Sequence, residues 1–150
     1  MASSEQIETD LRTAMKARDP ETVATLRMVL AAIKNARVSA GRSGDVSDAE
    51  MTDILAKQGK QRSEAAAAYR DGGRDELADK EERELAIIQR YLPAALDDDE
   101  LAAIVDQAVA ETGASGPGDL GAVMSAVMPK VKGRADGKRV NAMVRARLQG

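Results

Sequence analysis

The sequence predicts an all-α fold, and two observations lead to that class. Aromatic residues make up 1% of the chain, with two Tyr and no Phe or Trp. A core must therefore consist of Leu, Ile, Val, Met and Ala, a composition that favours closely packed helices over a β-sandwich. Apolar residues also recur at helical spacing, and no stretch shows the alternation of a strand. With 150 residues, the chain suits one compact domain or two small ones.

The N-terminal end contains two predicted helices. Residues 4–17 form an amphipathic first helix. Asp19 and Pro20 then open a second helix that runs to about Val38. Asp is a good N-cap, and the missing N–H of Pro costs nothing at the first helical position, so the two residues together indicate a helix start.

Two more helices are predicted after a loop at residues 40–45. Ser47 and Glu50 form a capping box that begins a long third helix, which extends to about Tyr69. A fourth helix occupies roughly residues 74–90 and is dense in charge. Two ion pairs at i, i+4 are expected on its solvated face: Glu76–Lys80 and Asp79–Arg83.

A boundary at a proline divides the chain into residues 1–92, with four helices, and residues 93–150, a three-helix tail bundle. The fifth helix begins at the acidic run Asp97–Glu100, which is interpreted as capping and not as a metal site. Successive helical residues point about 100° apart and cannot converge on one ion, whereas acids stabilise a helix N-terminus. Pro129 is predicted to end the sixth helix, and Asp136 to cap the seventh.

Several classes of site are excluded by composition. The chain contains no Cys and no His, so it lacks a disulfide framework, a thiolate zinc site and the commonest general base. We therefore expect no catalytic residues, no metal and no cofactor. The sequence shows neither a secretory signal peptide nor an apolar run long enough to cross a membrane, and a cytoplasmic protein without membrane contact is expected.

The third helix carries a polar stretch where a core helix would show Leu or Ile. This stretch has two interpretations: a helix that extends past its core, which we favour, or a second polar contact surface. Its members are Lys57, Gln58, Gln61 and Arg62.

The charges of the tail are segregated along the chain. The net charge is −3, yet residues 93–129 contain seven acids and no base, and residues 130–150 contain seven bases and one acid. Two alternatives are open: the bases are neutralised within the bundle, or they meet an outside polyanion. Because no aromatic residue lies among them, contact with RNA would use phosphates and not base stacking. The candidate RNA contacts are Lys130, Lys132, Arg134, Lys138 and Arg139.

Three stretches resemble the GatB/YqeY family, in particular its free-standing YqeY-type members. They are VMPKVKGRADG (127–137), LRMVLAAIKNARV (26–38) and the long segment from residue 61 to residue 93. The resemblance implies two helical subdomains related to the C-terminal, tRNA-binding part of the B subunit of glutamine-dependent aminoacyl-tRNA amidotransferase, a carbon–nitrogen ligase. The family's tail corresponds to residues 93–150.

The resemblance also sets expectations about function. The ATP-using domain of the amidotransferase subunit has no counterpart here, so the resemblance implies an accessory module that is not catalytic alone. Its expected partners are tRNA or a tRNA-containing complex, with an amidotransferase or an aminoacyl-tRNA synthetase. The alternative is a protein–protein interaction module that uses the same helical surface.

Overall fold

The computed structural model describes residues 3–41 and 44–149. Within them it contains seven α-helices, one short 3-10 helix at Pro117–Asp119 and no β-strand, so the predicted all-α class is confirmed. No helix of this described part combines the length and the apolar character that a membrane span needs. The helices are α1 (Ser4–Lys16), α2 (Pro20–Ser39), α3 (Asp48–Asp71), α4 (Asp75–Gln89), α5 (Asp98–Thr112), α6 (Leu120–Val131) and α7 (Gly137–Gln149).

The helix starts follow the capping residues that the sequence offers. The Asp19 side chain accepts a hydrogen bond from the backbone of Thr22 and caps α2. A reciprocal capping box between Ser47 and Glu50 opens α3, as predicted. The acidic run before α5 also acts in capping, because the Asp97 carboxylate accepts from the backbone N–H of Glu100 at 2.7 Å.

The chain divides into two compact units, an N-terminal unit that ends at Pro93 and a C-terminal unit that begins at Ala94. In the N-terminal unit, α3 and α4 form a helical hairpin whose packing depends on a glycine. A Cβ added to Gly59 would lie 3.3 Å from Leu85 Cδ1, so even an alanine would require the Leu85 side chain to shift by a few tenths of an ångström. The buried core of this unit contains Ile7, Leu26, Val29, Ile33, Met51, Leu55, Ile87 and Ile88.

The C-terminal unit is built on a core in which valine predominates. β-Branched side chains have few rotamers, and here they pack α5, α6 and α7 together. The buried members are Leu96, Leu101, Val105, Ala108, Val123, Val127, Val131, Val140, Val144 and Leu148.

The predicted end of α6 at Pro129 is wrong. The helix continues to Val131, with Pro129 inside its last turn. Proline removes only the bond to the carbonyl four residues earlier, that of Ser125, which is exposed to water. Val131 is completely buried in the core, and its packing favours the extra residues of helix.

The ion pairs of α4 also differ from the prediction. Asp79 pairs with Arg70 of α3 at 2.8 Å, and Arg83 pairs with Glu21 of α2 at 2.9 Å. The Arg83 fork contacts both oxygens of Glu21, and this bidentate bond lowers the pKa of that carboxyl. Arginine reaches across to neighbouring helices, so exposed ion pairs on the solvated face tie α4 to α2 and α3.

Candidate nucleic-acid interface

The five predicted RNA contacts lie on both sides of the turn between α6 and α7. Lys130 stands in the last turn of α6, Lys132 and Arg134 belong to the turn, and Lys138 and Arg139 begin α7. The three lysines are exposed, whereas the two arginines are only partly exposed. This difference in exposure reflects two different sets of contacts.

The two arginines hold the first residues of the C-terminal unit. Arg134 Nε donates to the Ala94 carbonyl at 3.0 Å, and the Arg134 carbonyl accepts from the Leu96 N–H at 2.9 Å. Arg139 donates to the Leu96 carbonyl at 2.8 Å and to the Asp98 carboxylate at 2.5 Å. These bonds satisfy backbone N–H and carbonyl groups of an irregular segment. Such groups have no partner from the regular hydrogen bonds of a helix or sheet. We call this set of contacts the arginine clamp.

Two of the three lysines, Lys130 and Lys138, have weaker ties to the protein. Lys130 Nζ lies 3.6 Å from Glu111 Oε2, and both side chains are about half exposed, so the pair contributes roughly 0–1 kcal/mol. Lys132 also takes part in an interaction within the chain. The Lys138 ammonium makes no ion pair with any residue that the structure describes, while its backbone N–H donates to the capping Asp136 carboxylate at 3.2 Å.

The cations of the basic tail therefore fall into two groups. Arg139 is paired with Asp98, and Arg147 is paired with Asp106 at 2.8 Å, so part of the positive charge is neutralised internally. The lysines, in contrast, remain exposed at the α6–α7 turn. Because a solvated pair such as Lys130–Glu111 exchanges at little cost, its cation is accessible to an outside anion.

The polar stretch of α3 does not form one surface. Lys57 and Gln61 are exposed, but Arg62 is 5% exposed and lies inside the N-terminal unit. Its Nε is 3.6 Å from Glu84 Oε2, and its Nη1 donates to Gln58 Oε1 at 2.8 Å. The helix does not extend past its core either, because Arg62 occupies a core position.

A sequence signal for this buried pair exists, and the sequence analysis missed it. Leu55, Gly59, Arg62 and Ala66 continue one buried stripe at spacings of four, three and four residues. A charge inside such a stripe predicts an opposite charge on the facing helix. Glu84 supplies it, and burial, followed by the Glu84 charge, raises the pKa of neighbouring Glu81.

An open cleft of about 930 Å³ lies beside α1 in the N-terminal unit. Its walls include Asp10 and Tyr91, whose hydroxyl donates to the Asp10 carboxylate at 2.5 Å. Burial, and then this bond, raise the pKa of Tyr91. Within this cleft, Asp10 and Tyr91 are therefore partners of each other. In the described part of the chain, no three acidic side chains come together as a metal site.

Several curated proteins named "Altered inheritance of mitochondria protein 41, mitochondrial" are similar to this chain. The protein from Clavispora lusitaniae is 33% identical over 96 residues, which cover 62% of this chain and 55% of the relative. For Eremothecium gossypii, the identity is 36% over 99 residues, covering 65% and 54%. For Pyrenophora tritici-repentis, it is 29% over 133 residues, covering 87% and 71%.

These names correct the expected location. The expectation of a cytoplasmic protein is wrong on this comparison, because the relatives are named as mitochondrial proteins. That expectation rested on missing secretory and membrane signals, and neither bears on import into mitochondria, which uses amphipathic, Arg-rich leaders. The chain spans about half the length of the first curated relatives it matches.

A family model covers nearly the whole chain. The sequence model of one protein family, described as "Yqey-like protein", matches residues 4–148. This range includes α1 to α6, all but the last residue of α7, the arginine clamp and the exposed lysines. The chain therefore belongs to the YqeY-like protein family.

Proposed function

We propose that the C-terminal unit binds tRNA through phosphate contacts from Lys130, Lys132 and Lys138. The observation that carries this proposal is the exposure of these three lysines around a turn that the arginine clamp holds. Arg134 and Arg139 contribute mainly by fixing the turn and secondarily through their exposed edges. The protein acts as an accessory module in a tRNA-dependent process, such as the glutamine-dependent amidation of aminoacyl-tRNA, beside an amidotransferase or a synthetase.

The chemistry of the turn favours phosphates over bases. Lysine is a point charge on a flexible stem, which suits phosphate oxygens, and no aromatic side chain lies among residues 130–150 to stack on a base. The N–H groups at the start of α7 add a partial positive charge beside Lys138. Recognition of this kind reads the outer shape of a folded RNA and not its sequence.

Composition supports binding without catalysis. The chain has neither the His nor the Cys that general-base or nucleophilic chemistry most often uses. In the cleft beside α1, Asp10 and Tyr91 are hydrogen-bonded to each other. Purified protein that turns over ATP or glutamine would contradict this part of the proposal.

The decisive experiment measures the affinity for bulk tRNA by fluorescence anisotropy at several salt concentrations. Each phosphate contact on a duplex adds about −0.9 to the slope of log affinity against log salt, so the double variant Lys130→Glu with Lys138→Glu should lose about two units of slope. Its affinity should fall at least tenfold. Circular dichroism checks that the variant remains helical.

A matched control is offered by Lys57→Glu with Lys80→Glu, which changes the same total charge at two exposed lysines of the N-terminal unit. We expect the control to retain most of the affinity. Equal losses in both variants would mean that only net charge matters, and would overturn the assigned surface. If the wild-type protein does not bind tRNA at low salt, the RNA proposal is wrong, and a protein partner on the same surface becomes the better explanation.

A further inference from the structure

Helix α2 is apolar on two opposite sides. One side packs into the core of the N-terminal unit through Leu26, Val29 and Ile33. The other side is exposed and carries a second series of residues at spacings of four, three, four and three. This is the spacing of residues at which one helix packs against another. We call this series the α2 stripe: Ala24, Met28, Ala31, Asn35 and Val38.

The α2 stripe contains large apolar side chains that the fold leaves in solvent. Val38 is 69% exposed and Met28 is 49% exposed. The sulfur of Met28 is also held from inside, because it accepts a bond from Nη2 of the buried Arg62 at 3.3 Å. A methionine side chain adapts its shape to a partner. The sulfur of Met28 is held in place while its methyl end is exposed, and this arrangement suits a docking position.

One edge of the α2 stripe is basic. Arg27 and Lys34 are exposed, stand seven residues apart and flank the stripe on the same side. Neither makes an ion pair within residues 3–41 and 44–149. Charges that flank a seam of this kind determine which helix pairs with it and in which direction.

We propose that the α2 stripe docks an amphipathic helix of a partner protein, with apolar residues at the same four–three spacing and acidic residues opposite Arg27 and Lys34. Asn35 within the stripe restricts the register, because it favours a polar residue opposite itself. From residue 24 to residue 38 the helix rises about 21 Å. This length makes the contact small and reversible, as in other helix-in-groove complexes.

A second copy of this chain fits the α2 stripe less well. An antiparallel pair would set Arg27 against Lys34 of the other copy, and like charges at such positions repel. A parallel pair would set Arg27 opposite Ala32 and Lys34 opposite Ser39, which leaves both cations without a partner. An acidic flank satisfies both cations in either direction.

The test uses two synthetic 21-residue helical peptides with Leu at the four–three positions, one with Glu and the other with Lys at the flanking positions. Binding to the full-length protein is followed by anisotropy and by NMR shifts of residues 24–38. The Glu peptide should bind at least tenfold more tightly than the Lys peptide. Arg27→Glu with Lys34→Glu should reverse this preference.

Two methionines of nearly equal exposure provide the matched control. Met28→Asp should weaken binding of the Glu peptide at least tenfold, whereas Met15→Asp, at a residue of α1 that is 51% exposed, should leave it unchanged. Circular dichroism confirms that both variants fold. The proposal is overturned if neither peptide binds, if the two bind equally, or if Met28→Asp has no effect. It is also overturned if sedimentation shows a dimer that Met28→Asp dissociates.

Discussion

The two units of this protein place their charges in opposite ways. All four polar or charged residues that are buried in the described part of the chain belong to the N-terminal unit: Ser4, Thr25, Arg62 and Glu84. The C-terminal core is entirely apolar and rich in valine, and its cations remain at the surface or at its edge. Charge is thus part of the interior in one unit and part of the exterior in the other.

This difference shows that basic residues in the same chain have different structural roles. Arg62 looks as available as Lys130 in the sequence, yet it is enclosed by Glu84, Gln58 and Met28. Lys130 has a single solvated partner, Glu111. A buried charge constrains how the helices pack, whereas a solvated charge can change partners at little cost. The following predictions test this contrast, from the largest expected effect to the smallest.

Equivalent cavities should destabilise each unit by a similar amount. Leu101 and Leu55 are both buried, at 0% and 1% exposure, and Leu→Ala substitution should lower the free energy of unfolding of the unit concerned by about 4 kcal/mol. Native-state hydrogen exchange measures this loss residue by residue. Leu77→Ala, at a side chain that is 37% exposed, is the control and should change little. Loss of protection in both units from either substitution would contradict two separate cores.

Removal of one buried charge should also affect only the N-terminal unit. Glu84→Ala leaves Arg62 without its carboxylate and should lower the free energy of unfolding by about 3 kcal/mol. This is the low end of the range for a broken buried pair, because Glu81 still places a carboxylate near Arg62. The double variant Arg62→Met with Glu84→Leu should recover most of the stability. Urea unfolding followed by circular dichroism measures both values, and a double variant as unstable as Glu84→Ala would be evidence against the pairing.

Truncation of an arginine in the clamp should have a moderate effect on the C-terminal unit. Arg139→Ala removes the bonds to the Leu96 carbonyl and to Asp98 and should cost about 1–2 kcal/mol. Exchange of the amides of residues 94–98 should accelerate. Arg145→Ala removes only a bond to Asn141 on the same helix and serves as the control. Equal effects of the two substitutions would show that the clamp does not hold this segment.

The smallest predicted effect concerns acid. Bonds from Ser4 and then from Arg37 lower the pKa of Asp45 in the N-terminal unit. A carboxyl with a lowered folded-state pKa stabilises the protein above its unfolded value of about 3.9, and this stabilisation fades as the pH falls through the folded value. Asp45→Asn should therefore make the unfolding free energy less sensitive to pH below about 4. An unchanged pH profile in Asp45→Asn would contradict the assigned bonds.

Local signals in the sequence predicted most of the fold. The starts of α2, α3 and α5 follow from Asp19, Ser47 and Asp97, because a cap acts within one helical turn. The end of α6 was predicted wrongly. The stabilisation from burying Val131 exceeds the cost of the hydrogen bond lost at Pro129, because the carbonyl left unpaired is exposed to water. A rule that considers only neighbouring positions in the sequence cannot account for that tertiary packing.

The candidate site was predictable in composition but not in contacts. The sequence identified the cationic turn, yet the separation into an arginine clamp and three exposed lysines depends on residues about forty positions away. Arg134 and Arg139 contact Ala94 and Leu96, and nothing in the spacing between residues 94 and 139 specifies those bonds. The prediction of the α4 ion pairs was wrong for the same reason, because Arg83 pairs with Glu21 of another helix and not with Asp79 of its own helix.

The arginine clamp has a consequence for how this surface can diverge. Because Arg134 and Arg139 fasten the start of the unit to the turn, a substitution at either one disturbs the architecture. The side chains of Lys130 and Lys138 do not hold the backbone in this way, so either lysine can be gained, lost or moved by one position while the backbone stays in place. Under the proposed function, substitutions of these lysines would adjust the affinity for tRNA in small steps while the fold stays the same.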